Sequence, residues 1–459
     1  MRRTLRIGMA TSLASAWALG LAGSVAGASA HQDPFPPGDS VPGVVLTLQE
    51  ALVRSLKVAP RVRQWRASRE AAEASAGWLA SAYLPTVTAG VSLSRTRFPT
   101  TVTPIREPGI FPPLSDQIGE ASVSAAWTAF DFGRGREARS AARTLAEAAG
   151  ARETQARIET VETVADHFVQ LAVLAEVEEA QGARLASIRE NDVQVRALVD
   201  EGRLPAVDRL RIAEVLLEAE ADLRSTREEV WRVVASLASE LALDEPPPPD
   251  RIRVPELPGE ILLPALDPSP PVRGPLVDGA ESRLQAADHE ARQARRALLP
   301  ELQVVGRQAF RSAPDISTDG DWAIGLQLRV PLFRGDALTG VQVRNAHVRE
   351  RAAELEGARS AVGTALRNLG ARERDARERI RVLDARIGHL EEAYRIETAS
   401  YGEGRTTLAE LLSTEARLAG ARAERLGLVG TVLLVHLRAA SLTGELSATT
   451  ARHLLGDDR

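Results

Sequence analysis

The sequence contains no cysteine, which excludes disulfides, thiolate metal sites and an N-terminal cysteine able to carry a lipid anchor. Methionine is almost as scarce: of the two present, one is the initiator, so a methionine-lined path for soft metal ions has no support. Beyond the N-terminal segment there is no run of 18 or more apolar residues, the length a bilayer-spanning helix needs. The best stretch, Leu426 to Leu437, is short, holds His436 and reads as a buried core segment. If this chain meets a membrane, strands must do it.

A surplus of positive charge is also missing. Arg2, Arg3 and Arg6 precede a small, apolar run from Ile7 to Gly27 and the A-x-A site Ala28-Ser29-Ala30, so residues 1–30 read as a secretory signal peptide. Its removal leaves 54 basic against 62 acidic residues, a net charge of −8, which argues against nucleic acid as a partner. Export without disulfides suits a Gram-negative envelope, with no lipid anchor. The seven histidines, at 31, 167, 289, 347, 389, 436 and 453, form no HExxH and no paired spacing. Carboxylates lie among arginines on helical stretches and read as charge-paired faces. No metal, cofactor or acid/base pair can be singled out, and no enzyme is expected.

Prolines are rare except in three clusters. Of 26, four fall in 34–42, five in 99–113 and eleven in 246–275. These segments read as loops or extended linkers, and the third splits the mature chain in two. The halves match. Ala82-Tyr83-Leu84-Pro85 recurs as Ala297-Leu298-Leu299-Pro300, Ala129-Phe130-Asp131-Phe132-Gly133 as Leu332-Phe333-Arg334-Gly335, and Glu201-Gly202-Arg203 as Glu403-Gly404-Arg405. Each half reads helix, strand, strand, very long helix, turn, helix. The implied organisation is an extended segment 31–45, a first repeat 46–245, a Pro-rich linker 246–275, a second repeat 276–446 and a tail 447–459.

The expected strands are Thr86–Arg97, Glu120–Phe130, Glu301–Arg311 and Asp321–Val330. Val87, Ala89, Val91 and Leu93 alternate with Thr88, Gly90, Ser92 and Ser94, and Trp322, Ile324, Leu326, Leu328 and Val330 with Ala323, Gly325, Gln327 and Arg329. Such alternation fits a half-buried soluble sheet, but a length of ~10 residues is also that of a tilted transmembrane strand. The long helices carry 3-4 seams at Ile158, Val161, Ala165, Phe168 and Ala172, at Leu185, Ile188, Asp192, Val195 and Val199, and at Ile380, Leu383, Ile387, Leu390 and Tyr394, the spacing of coiled coils.

The stretch AWTAFDFGRGREA, Ala126 to Ala138, imitates a dinucleotide-binding fingerprint. The chain after it excludes that reading, because an unbroken helical pattern runs on to about Val199, roughly 100 Å at ~1.5 Å per residue, and no second strand follows. Four strands alone cannot stand in lipid, since an open sheet leaves its edge N–H and C=O groups unpaired. Several copies must close a barrel.

In this order and duplication, from Leu46-Thr47-Leu48-Gln49-Glu50-Ala51-Leu52 to Tyr401-Gly402-Glu403-Gly404, the chain resembles the TolC family of outer-membrane efflux proteins across essentially the whole mature sequence. The resemblance implies a mainly α fold with a transmembrane β-barrel: a homotrimer whose 12-stranded barrel in outer-membrane lipid continues as a coiled-coil α-helical tunnel. It also implies a passive duct that docks on a periplasmic adaptor (membrane fusion) protein and an inner-membrane pump of RND, ABC or MFS type, in tripartite efflux or type I secretion. Phe130, Gly133, Phe333 and Gly335 then mark the turns from strand to tunnel helix, where glycine permits the bend and aromatics suit a membrane interface.

The turns at 199–208 and 401–410 read on their own as αα-hairpin turns with a C-cap glycine. The resemblance makes them tunnel tips, with Gly202, Arg203, Gly404 and Arg405 contacting the adaptor. It further makes Tyr401 a gate tyrosine bonded to Asp208, and Glu410 the first carboxylate of a ring inside the gate. Thr406 and Ser413 depart from the pattern, standing where some members have an arginine and a second acid. The rival reading is a periplasmic coiled-coil adaptor or scaffold without a channel. Two helical hairpins and two strand pairs, rather than one hairpin, weigh against it.

Overall fold

The computed structural model describes residues 45–81, 83–102, 113–259, 262–267, 271–314, 320–403 and 405–456. The expected signal peptide, nearly all of the segment 31–45, Gly404 and most of the 99–113 loop lie outside the described residues.

Helix α1, Leu48–Val58, starts at a capping box in which Thr47 and Glu50 each satisfy the other's backbone N–H. It stops because Ala59 precedes Pro60 and is held out of the helical region. Helix α2, Pro60–Ser81, leads into strands β1, Thr86–Thr101, and β2, Leu114–Phe130. Helices α3, Arg134–Asp200, and α4, Ala206–Glu240, form one hairpin. The proline-rich linker follows, with one 3-10 turn at Pro249–Arg251 and a parallel bridge from Ile252 to Leu46. Helix α5, Pro275–Arg296, leads into β3, Glu301–Ser312, and β4, Asp321–Arg329. A second hairpin, α6, Gly335–Gly402, and α7, Leu408–Thr443, precedes the short α8, Ala448–Leu454. At 67 and 68 residues, α3 and α6 are each on the order of 100 Å long.

The strands form one antiparallel sheet in the order β1-β2-β3-β4. Its register carries the alternation from strand to strand. Ala89 faces Val123, Val123 faces Gln308 and Gln308 faces Trp322; Val87, Ala125, Gly306 and Ile324 form the next row. The alternating large apolar residues of β1, β2 and β4 therefore share one face with Val304 and Phe310 of β3, while Ser122, Ser124, Arg307 and Gln327 lie on the other; β3 is mixed, with Gln308 on the apolar face and Val305 on the polar one. Trp322, Ile324, Leu326 and Leu328 are 71, 73, 73 and 64% exposed, so among the described residues nothing covers this face of β4.

Three strands are longer than expected, β3 by the single residue Ser312 and the other two by more. β1 runs on through Pro99 to Thr101 and β2 begins at Leu114, because the hairpin continues past the apolar band with polar residues. The register shifts between Arg95 and Thr100, and a bulge is where a strand tolerates proline. β4 stops at Arg329, one residue before Val330.

Most of the expected seam positions are buried, with Val199, Ile387 and Tyr394 half-buried. Ile158, Val161, Ala165 and Phe168 join a core with α1, α4, α7 and α8, and Ala172 is buried beside them in the chain, while Leu185, Ile188 and Val195 join Ile212 and Leu223 of α4 with Leu408 and Leu412 of α7. Asp192 is buried in this seam and paired with Arg196. Val429, Val432, Leu433, Val435, His436 and Leu437 are also buried. α7 has a mean hydropathy of 1.6 over its most apolar window, half of it buried, as in a core helix.

The helices make two rows. Near the sheet, α2 packs on α3, α3 on α5 and α5 on α6; farther away, α4 packs on α3, α3 on α7 and α7 on α6.

Candidate functional site: strand-to-helix elbows and hairpin tips

At the first elbow the chain leaves β2 at Phe130 and reverses into α3 through two left-handed residues, Phe132 at φ 54° and Gly133 at φ 81°. Asp131 closes the turn. One of its carboxylate oxygens accepts the Gly133 N–H at 3.0 Å and the other the Gly135 N–H at 2.7 Å, satisfying helix-start donors and placing negative charge at the N-terminus. The glycines that imitate a phosphate loop thus spend their N–H groups on the chain's own carboxylate.

A side chain at Gly135 would overlap the Tyr83 ring, which also lies under Arg139 at 5.0 Å and whose carbonyl accepts the Trp127 indole N–H at 3.1 Å. Burial, helped by the Asp131 charge, pushes the Tyr83 hydroxyl pKa up. Phe130 and Phe132 meet edge to face at 4.8 Å.

The elbow is also tied sideways. Arg296 donates to the Gly133 carbonyl at 3.0 Å and pairs with Glu137 at 2.9 Å; His289 and Arg292 converge on the same carboxylate at 2.7 and 3.1 Å. Burial opposes the Glu137 charge, but these three neighbours outweigh it and hold its pKa low. Arg134 and Arg329 both pair with Glu301 at 2.8 Å, joining α3, β3 and β4.

The second elbow is built differently. Leu332 and Phe333 are 95 and 82% exposed, and Arg334 pairs with Asp336 at 2.7 Å. Gly335 has no positive φ, and an added Cβ would only touch the Phe333 ring at 3.7 Å. Glycine is therefore needed for the bend at 133 but not at 335, where Pro331 already turns the chain out of the strand.

At the first tip, Arg203 N–H bonds to Leu198 C=O at 2.8 Å and Gly202 N–H to Val199 C=O at 2.9 Å, with Gly202 at φ 71°. These are the paired bonds of a Schellman motif. At the second tip, Arg405 N–H makes the corresponding bond to Ser400 C=O at 2.9 Å. Arg203 and Arg405 are exposed and pair with Glu201 and Glu403.

Tyr401 and Asp208 come close without bonding to each other. The Tyr401 Oη is buried with no hydrogen-bond partner among the described residues, and burial followed by the Asp208 charge pushes its pKa up. The Asp208 carboxylate accepts instead from Arg211, one turn along α4, at 3.0 Å. The expected Tyr401–Asp208 hydrogen bond is not made among the described residues of the single chain, although Arg211 leaves the second Asp208 oxygen free to accept.

Glu410 is exposed and holds a capping box with Thr407. Its Oε2 accepts from Thr406 Oγ1 at 2.7 Å and from the Thr407 N–H and hydroxyl at 3.1 Å, and these bonds, Thr406 first, lower its pKa. Sequence reasoning missed this structural role, although Thr407-Leu408-Ala409-Glu410 carries the T-x-x-E signature. The signal for the Asp131 cap is an aspartate two residues before the first of the helix-start glycines. Tyr83, Glu137 and Arg296 had no local signal, since their partners are remote in sequence.

Among the described residues no group of three or more His, Asp or Glu side chains could hold a metal ion.

The architecture recurs in solved structures. The outer membrane protein VceC of Vibrio cholerae superposes with a TM-score of 0.73 at 19% identity, covering 87% of this chain and 97% of that one. The open-state MtrE outer membrane channel of Neisseria gonorrhoeae gives 0.72 at 19%, over 89 and 93%. The CmeC outer membrane channel of Campylobacter jejuni gives 0.70 at 16%, over 88% of each chain. At these identities the likeness speaks to the fold. A search of curated proteins returned no significant match. The family model for outer membrane efflux proteins matches residues 49–242 and 272–444, most of the chain, and the chain belongs to that family.

Proposed function

We propose that three copies of this chain form a passive duct through the outer membrane, with a 12-stranded barrel continued by an α-helical tunnel. The observation that carries this reading is that each level of the protomer is a row open at both ends. The sheet leaves β1 and β4 unpaired at its edges. The upper helical row ends in α2, where only Val62 is buried, and in the first turns of α6, which have no buried residue before Leu355. The lower row ends in α4, with Val207, Leu210, Leu217 and Trp231 exposed, and in α6, with Val382 and Ile396 exposed. An even number of antiparallel strands lets β4 of one copy pair with β1 of the next in the same sense all round. A head-to-tail contact of this kind closes into a ring and removes the edges that lipid does not tolerate.

In this reading residues 46–245 and 276–446 are two repeats joined by the 246–275 linker, and the apolar sheet face meets lipid while the polar face lines water. The tips, with Gly202, Arg203, Gly404 and Arg405, meet a periplasmic adaptor that connects the duct to an inner-membrane pump. Asp208, Tyr401 and Glu410 belong to the tip gate. The duct has no catalytic turnover, and the pump supplies the energy. Planar-bilayer recording on the purified protein tests the reading: discrete, long-lived conductance steps are expected, and protein that assembles in detergent yet never conducts would refute it.

A further inference from the structure

Within each hairpin, exposed ion pairs join the two helices: Arg189–Glu220 and Arg227–Glu178 between α3 and α4, Arg379–Glu424 and Arg422–Glu391 between α6 and α7. Pairs of this kind contribute little. Arg184–Glu415 differs in burial and in what it connects. Arg184 on α3 reaches Glu415 on α7 at 3.3 Å, both side chains being 14% exposed, and lies 3.7 Å from Asp222 of α4. The second oxygen of Glu415 is buried without a hydrogen-bond partner among the described residues. Just beyond the pair, Leu408 and Leu412 of α7 insert among Leu185, Ile188 and Ile212.

Higher up, the second hairpin is strapped by the linker. Arg377 donates to the Leu263 carbonyl, Glu373 accepts from Leu266 N–H, and Arg425 holds both Asp384 and the Gly259 carbonyl. The strap ends at Asp384 and Arg425. Between there and the tip, among the described residues, Arg184–Glu415 is the one ion pair or side-chain hydrogen bond linking the second hairpin to the first.

We propose that Arg184–Glu415 is the latch that holds the tip segment 385–424 of the second hairpin against the first, so that parting of the tips requires this pair to separate. The inference rests on reading the tips as a gate. A buried ion pair suits a releasable contact: when the helices part both charges reach water, and their hydration offsets the lost attraction. Removing one partner leaves the other charge buried and uncompensated, which penalises the closed arrangement; replacing both by apolar groups removes that penalty.

The test is a distance measurement between spin labels on Val193→Cys of α3 and Thr398→Cys of α6, both exposed, in the full-length protein, whose lack of cysteine leaves these two sites alone to react. R184M should raise the ratio of long to short distances at least about tenfold, the change that ~1.4 kcal/mol produces. R184M/E415L should return it to the wild-type value or below. E415Q, which leaves Arg184 with Asp222, should fall between and serves if R184M does not assemble. Unchanged distances in folded R184M or E415Q would overturn the latch, as would equal shifts in the single and double variants, the mark of packing damage. Conductance recorded on the same samples keeps the two readings apart: a wild type that never conducts fails as a channel, while the distances still decide the latch.

Discussion

Leu326 lies on β4 opposite Val304, within the apolar row from Trp322 to Leu328, which spans about 20 Å at ~3.3 Å per residue. It is one residue, about 3 Å, from the middle of that row. An arginine there would meet nearly the full midplane cost of a barrel strand, ~2–4 kcal/mol per copy, or roughly 6–12 kcal/mol for three copies on the same basis. Gln327, opposite Gln303, points to the polar face, where an arginine stays hydrated. Refolding of Leu326→Arg and Gln327→Arg into lipid vesicles across a urea series, read by heat-modifiable gel mobility, should show a large loss for the first and little change for the second. Equal behaviour of the two would refute the strand phase or the placing of this face in lipid.

Three further predictions follow from the elbows, the tip and the linker. Gly133→Ala forces an alanine into a left-handed conformation and should lower stability by ~1–2 kcal/mol, whereas Gly335→Ala should be neutral; comparing their thermal unfolding decides. Glu410→Gln keeps an N3 side chain able to complete the capping box but removes its charge, so it should weaken multivalent-cation block of conductance without loss of stability. Glu410→Ala should weaken the block and also lower stability, by less than the ~0.5–2 kcal/mol of losing a whole N-cap, because Thr407 still accepts the residue-410 N–H. Glu373, 1% exposed, is bonded to the Leu266 N–H, His436 and Arg377; burial opposes its charge, but these three, Leu266 first, lower its pKa. A lowered carboxyl pKa stabilises the fold fully above the ordinary glutamate value and is lost as pH falls below it. Acid unfolding in that range should be blunted in Glu373→Gln relative to wild type, and an identical acid limb would refute the assignment.

How much of this was legible depended on how local the signal was. The strand faces followed from period-2 alternation, and the buried seams from 3-4 spacing at Phe168, Ile188 and Leu383, because each pattern lies within one element. The outer ends of β1 and β2 were not legible, since alternation stops past Leu93 and Pro99 reads as loop until cross-strand pairing around a bulge supports it. At the tip, the resemblance suggested Asp208 as a partner for Tyr401, but whether the hydroxyl reaches that carboxylate is decided by side-chain geometry that the sequence does not carry. The contrast between Gly133 and Gly335 was equally hidden, because only backbone torsions separate a glycine that must be left-handed from one that need not be. Arg184–Glu415 joins residues far apart in the chain, beyond any periodic signal.

The central claim is that the open ends of the sheet and of both helical rows are closed by further copies of the same chain. Native mass spectrometry of the detergent-solubilised protein tests it most directly. A single species with the mass of three chains is predicted. A folded, stable monomer would contradict the account, because it would show that one chain can satisfy its own sheet edges and cover its own apolar face.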